Sequence, residues 1–68
     1  KDLIHKTISK LPQRYSAIIT MFYLNEMTID EISEAMGISI SNVKVMLHRS
    51  RNALRDLVLK TKLTEELL

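Results

Sequence analysis

The chain of 68 residues has one glycine, Gly37, standing between two segments whose apolar residues recur at helical spacing. That position constrains the fold more than any other. A glycine directly after a helical period takes the left-handed conformation that ends a helix without steric cost, so the chain must turn there. Before it, Thr28 and Glu31 spell a T-x-x-E capping box. Ile29, Ile32, Ser33 and Met36 then fall at i, i+3, i+4 and i+7, one narrow face of apolar or small residues. After it, Ile38 is placed to plug the corner and Ser39 to cap a second helix. Ile40, Val43, Leu47, Ser50, Leu54 and Leu57 form a seam spaced three and four apart, which predicts a helix running to about Leu59. The small side chain of Ser33 suits a close crossing of the two.

Upstream, Ile4, Ile8 and Leu11 predict a short helix from Leu3 to Lys10. Pro12 cannot continue it but suits the first turn of another. That next helix is expected from Pro12 to Leu24, with Tyr15, Ile18, Ile19 and Phe22 as its apolar stripe. Asn25, Glu26 and Met27 make the turn into the capping box, and Leu63, Leu67 and Leu68 could add a weak amphipathic turn at the end. One Gly and one Pro leave little turn chemistry for a sheet of hairpins, so the expected class is all-α, four helices containing a helix-turn-helix. A chain of this length makes one small domain, 1–68, of marginal stability. The absence of cysteine excludes a disulfide framework and a cysteine-based zinc site, and it fits a reducing cytoplasm. No apolar run approaches the roughly 18 residues of a membrane span, and no signal peptide is visible. The first residue, Lys1, leads us to expect a fragment of a longer chain.

The net charge of +2 matters less than its distribution. Glu26, Asp30, Glu31 and Glu34 make the segment before the glycine acidic. Lys44, Arg49, Arg51, Arg55, Lys60 and Lys62, opposed only by Asp56, make the segment after it basic, with His48 among them. A basic stripe alone is usually a solvated helix face. Behind a helix-turn-helix hinge it is the electrostatic footprint of an element that faces phosphate, because such a hinge delivers its second helix to a DNA major groove.

The spelling narrows the class. Leu11-Pro12 opens a helix, Glu31-Ile32-Ser33-Glu34-Ala35-Met36-Gly37-Ile38-Ser39 follows, then Asn42-Val43-Lys44, then Leu47-His48-Arg49-Ser50-Arg51 with Leu54-Arg55 behind. Over Leu11 to about Val58 the chain resembles the C-terminal domain, region four, of bacterial sigma factors of the extracytoplasmic-function group. The resemblance implies a winged-helix-like DNA-binding superfamily without a wing, and a helix-turn-helix with an extended recognition helix over 28–58. It implies recognition of the promoter −35 element within RNA polymerase holoenzyme, docking on the flap of the polymerase β subunit, and masking by an anti-sigma protein. The chain departs from the family pattern at Ser16, where arginine is usual, at Ser33 for alanine, at Asn42 for threonine, and at Val45-Met46, where Ser-Arg is frequent. Losing a base at position 46 weakens a phosphate contact there.

Opposite the seam, positions 41, 44, 45, 48, 49 and 52 are expected to face outward. Four of these residues are the candidates for reading bases: Lys44 and Arg49 as donors to guanine N7 and O6, Val45 against a thymine methyl, and His48 on a base edge. Ser39, Ser41 and Asn42 lie where first-turn N–H groups favour phosphate. Arg14, Thr28 and Arg51 are the remaining candidates for phosphate contact. Arg51 and Arg55 are alternatively placed for salt bridges to the acidic third helix. Met21, Tyr23 and Met27 are candidates for docking polymerase or an anti-sigma protein, since the core is served by the opposite face and methionine is adaptable at binding surfaces. The plain alternatives are ordinary surface charges, a stray surface valine and a core stripe.

Other classes carry less of the pattern. Output domains of response regulators or quorum-sensing activators share a similar core but lack the LHRSRNALR continuation as one helix. A pure protein-interaction module leaves the basic helix unexplained. No paired carboxylates, glycine-rich phosphate loop or Ser-His-Asp arrangement points to an enzyme; Asp2 and His5 read as a helix-surface pair. No cofactor, metal or small-molecule substrate is implied, since the two histidines are far apart in the chain.

Overall fold

The structure, a computed structural model, describes the backbone of residues 2–67 and the side chains of residues 5–62. The order is α1 (Asp2–Ser9), α2 (Gln13–Ile19) continuing into a π-helical turn (Thr20–Leu24), α3 (Ile29–Met36) and α4 (Ile40–Leu67). Pro12 takes an extended conformation as the N-cap of α2. Its carbonyl accepts from the N–H groups of Tyr15 and Ser16 at 2.9 and 3.0 Å, which starts the helix without a side-chain cap. Among the described residues there is no strand, and the four-helix, all-α class holds.

The hinge forms as its residues dictate. Thr28 Oγ1 accepts from the Glu31 N–H at 3.1 Å, and Glu31 Oε1 accepts from the Thr28 N–H at 2.8 Å. Both halves of the capping box are therefore made. Gly37 ends α3 at φ 68°, ψ 33°. Ser33 contributes more than its small size. Its carbonyl accepts from the N–H groups of Gly37 and Ile38, and its hydroxyl donates to the Ile38 carbonyl, so one residue clamps both sides of the corner. Ile38 packs half-buried against the core. Ser39 Oγ accepts from the Asn42 N–H at 3.1 Å and opens α4.

The core is the meeting of Ile8 and Leu11, Ile18 and Ile19, Ile32, and Val43, Met46 and Leu47. The fully buried Ser50 lets α4 pass close to its neighbours; its hydroxyl is satisfied by donating to the Leu47 carbonyl at 3.1 Å. Such a residue tolerates neither a large side chain nor the loss of its partner.

Four expectations need correction. Ile40 is 44% exposed, not in the seam. It is the first residue of α4 and stands beyond the layer that α2 and α3 cover. Met46 is 8% exposed and belongs to the core, because the start of α2 lies over that edge of α4. The second helix does not stay α to Leu24: its last turn widens, with the Asn25 N–H reaching back to the Thr20 carbonyl. Glu26 then adopts φ 54° and the Met27 N–H reaches the Met21 carbonyl, closing the turn. Finally, α4 does not stop near Leu59 but runs 28 residues to Leu67, since no Gly or Pro interrupts it. At about 1.5 Å per residue that helix spans about 42 Å, which sets the molecule's long dimension of 44 Å. The side chains of Asp2, Ile4, Leu63, Leu67 and Leu68, named in the sequence-based expectations, lie outside the described residues.

Candidate nucleic-acid interface

The outer face of α4 is built by subtraction. Val43, Met46, Leu47 and Ser50 turn inward, and helical geometry then sends Ser41, Lys44, Val45, His48 and Arg49 outward. All five are exposed, as is Asn42. Val45, a branched apolar side chain 45% exposed, lies among them. His48 is paired with a residue the sequence analysis placed only as outward-facing: Asn52 Nδ2 stands 3.3 Å from His48 Nε2.

Thr28 and Ser39 are exposed, and each hydroxyl oxygen accepts a helix N–H, which leaves its own proton available to an anion. Arg14, from the first turn of α2, leans on Met46, its guanidinium 3.9 Å from the sulfur. Arg14 and Arg49 line one open depression of about 360 Å³ with Pro12, Gln13, Tyr15 and Met46. Two basic residues from different helices thus border the same depression as the buried Met46. Gln13, Tyr15 and Met46 were not among the expected site residues. Their signal was available only in part: Met46 lies at the edge of the seam, but nothing in α4 alone says what covers it.

Arg51 is not bonded to α3. Its guanidinium donates to the Tyr23 hydroxyl at 3.3 Å, joining α4 to the π-helical turn. The salt bridges expected between Arg51 or Arg55 and the acidic third helix are absent among the described residues. Arg55 instead approaches its neighbour Asp56 at 3.9 Å, with both side chains open to solvent, where such pairs contribute little. Of the three docking candidates, Met21 and Met27 are half-buried and pack against the core. Tyr23 is 47% exposed, its ring edge-on to Phe22 with centroids 4.9 Å apart. No helix among the described residues is long and apolar enough to cross a membrane.

A capped third helix, a left-handed glycine hinge and a long fourth helix with a basic outer face define a helix-turn-helix domain of the nucleic-acid-binding class. The comparison with known proteins specifies which: the chain belongs to the Sigma-70, region 4, family, whose description matches residues 1–54. It is a non-enzymatic family. Among curated relatives, the ECF RNA polymerase sigma factor SigW of Bacillus subtilis (strain 168) is 40% identical over 54 residues, covering 79% of this chain and 29% of the relative. The ECF RNA polymerase sigma factor SigM of the same organism is 37% identical over 57 residues, 84% of this chain and 35% of the relative. RNA polymerase sigma factor SigV, also from that organism, is 30% identical over 61 residues, 90% and 37%. The chain therefore spans about a third of the length of these relatives. No solved structure matches it. The family assignment decides against a response-regulator or quorum-sensing output domain.

Proposed function

We propose that this domain recognises the promoter −35 element as part of bacterial RNA polymerase holoenzyme. The observation that carries the proposal is the exposed row Lys44, Val45, His48 and Arg49 on the first half of α4. It lies directly after the hinge and opposite the buried seam, where a recognition helix reads bases. The segment 28–58 is the reading unit of a single 1–68 domain. Lys44 and Arg49 donate to purine acceptors, Val45 meets a thymine methyl, and His48 takes a base edge. Arg14, Thr28, Ser39, Ser41, Asn42 and Arg51 hold the phosphates on either side. Arg14 is aimed by its seat on Met46.

Docking on the β-subunit flap falls to the surface around the exposed Tyr23, together with the half-buried Met21 and Met27. An anti-sigma protein covering either surface would silence the domain, and the site of action is the cytoplasm.

The test is promoter binding by holoenzyme carrying the full-length chain. Arg49→Ala and Lys44→Ala should each weaken it by about 1–3 kcal/mol if they read bases. Unchanged affinity for both variants would remove α4 from the groove. With three to five phosphate contacts, log K should fall with log salt by about 0.9 per contact; a flat dependence would point to an interaction module instead.

A further inference from the structure

Among the candidate base readers, only His48 can be either a donor or an acceptor at each ring nitrogen, and its chemistry is undefined until something fixes the proton. One side chain is placed to do so. Asn52 lies one turn further along α4, half-buried where His48 is exposed, with its amide nitrogen 3.3 Å from His48 Nε2. An amide nitrogen donates and cannot accept. A hydrogen bond there requires the lone pair on Nε2, which puts the proton of the neutral ring on Nδ1. No other side chain among the described residues hydrogen-bonds this imidazole.

We propose that Asn52 is a positioning residue that holds His48 as its Nδ1–H tautomer, so that α4 offers DNA a hydrogen-bond donor at this point. The inference rests on the placement of α4 in the major groove. Its consequence is a specificity rule. A donor at Nδ1 suits guanine N7 and O6, adenine N7, thymine O4 or a phosphate oxygen, and it is mismatched to the amino groups of cytosine and adenine. An unrestrained neutral imidazole prefers the opposite tautomer, with Nε2–H and an acceptor at Nδ1. Asn52 therefore sets what the position reads without touching DNA itself.

The tautomer can be read directly in the full-length chain by long-range proton–nitrogen correlation of labelled histidine at mildly alkaline pH. The His48 signals are identified by their loss in His48→Ala. The wild type should show Nδ1–H, Asn52→Ala should revert to Nε2–H, and Asn52→Asp, whose carboxylate only accepts, should also give Nε2–H. Promoter affinity of holoenzyme should fall about threefold to tenfold in Asn52→Ala, the scale of one hydrogen bond. It should fall no further when Asn52→Ala is added to His48→Ala. Nε2–H in the wild type overturns the inference, as does an Asn52→Ala loss that persists at full size in the His48→Ala background, which would mean a direct contact by Asn52. If the tautomer responds to Asn52 while neither Lys44→Ala nor Arg49→Ala changes promoter binding, the groove placement fails and the specificity rule falls with it.

Discussion

Replacing Gly37 with alanine isolates the backbone requirement of the hinge. Gly37 sits at φ 68°, ψ 33°, and a Cβ built there meets nothing within 4 Å. The substitution therefore adds no collision with α4, and its cost is local. Holding an L-residue in the left-handed region costs about 1–2 kcal/mol. Against this, alanine reduces the conformational freedom of the unfolded chain, which returns about 0.4–1 kcal/mol. The net expectation is a loss of about 1 kcal/mol, read as a lower urea midpoint at unchanged slope in helix circular dichroism. Gly37→Asn should lose less, because asparagine visits this region more readily. Since the bonds from the Gly37 and Ile38 N–H groups to the Ser33 carbonyl survive in either variant, the angle between α3 and α4 is kept. Promoter affinity of the folded protein should then stay within about twofold, as for a change that makes no contact. A loss above about 3 kcal/mol would show that the corner has no room for a methyl group. No loss at all would show that residue 37 leaves the left-handed region in solution. Either result refutes the separation of backbone and contact terms.

Glu26 presents the converse case, a non-glycine residue at φ 54°. Glu26→Gly should raise stability by about 0.5–1 kcal/mol, seen as a higher thermal midpoint. Thr28→Ala removes the hydroxyl half of the capping box and should cost about 1 kcal/mol in urea denaturation. Ser33→Ala should cost about 1 kcal/mol by orphaning the Ile38 carbonyl. Hydrogen exchange should quicken at the corner amides of Gly37 and Ile38 more than in the core of α2.

Much of the hinge was legible in the sequence because its signals are local. The capping box, the glycine and the Ser39 cap each depend on residues within four positions, and all three form. The seam was legible at its centre, Val43, Leu47 and Ser50, where any neighbour on that side of α4 buries the same residues. It was not legible at its edges. Whether Ile40 is covered depends on how far α2 and α3 extend, and whether Met46 is covered depends on where the Pro12 turn puts Arg14 and Tyr15. Neither fact is written in the period of α4. The bond from Arg51 to Tyr23 was illegible for a related reason. The widened turn from Thr20 to Leu24 changes which side of the helix Tyr23 occupies, and an α-helical reading of that segment places the hydroxyl elsewhere. The pairing of His48 with Asn52 was available as an i, i+4 spacing, but many such pairs on an exposed face never meet.

The adjacent residues Val45 and Met46 show why burial has to be known before a substitution is assigned to DNA. Both stand where relatives of this kind are expected to carry polar residues, and both invite the inference that the DNA preference has changed. The structure separates them. Val45 is exposed on the outer face of α4, whereas Met46 is in the core and supports Arg14 through its sulfur. A base at 46 would join Arg14 and Arg49, which already line that edge with two charges. A methionine there removes a third cation from the cluster and supplies apolar seating for one of the remaining two. Changes at 46 should therefore act on affinity through the pose of Arg14, nearly alike for all promoter sequences. Changes at 45 should act on sequence preference, because that side chain is exposed on the outer face of α4 with Lys44 and His48.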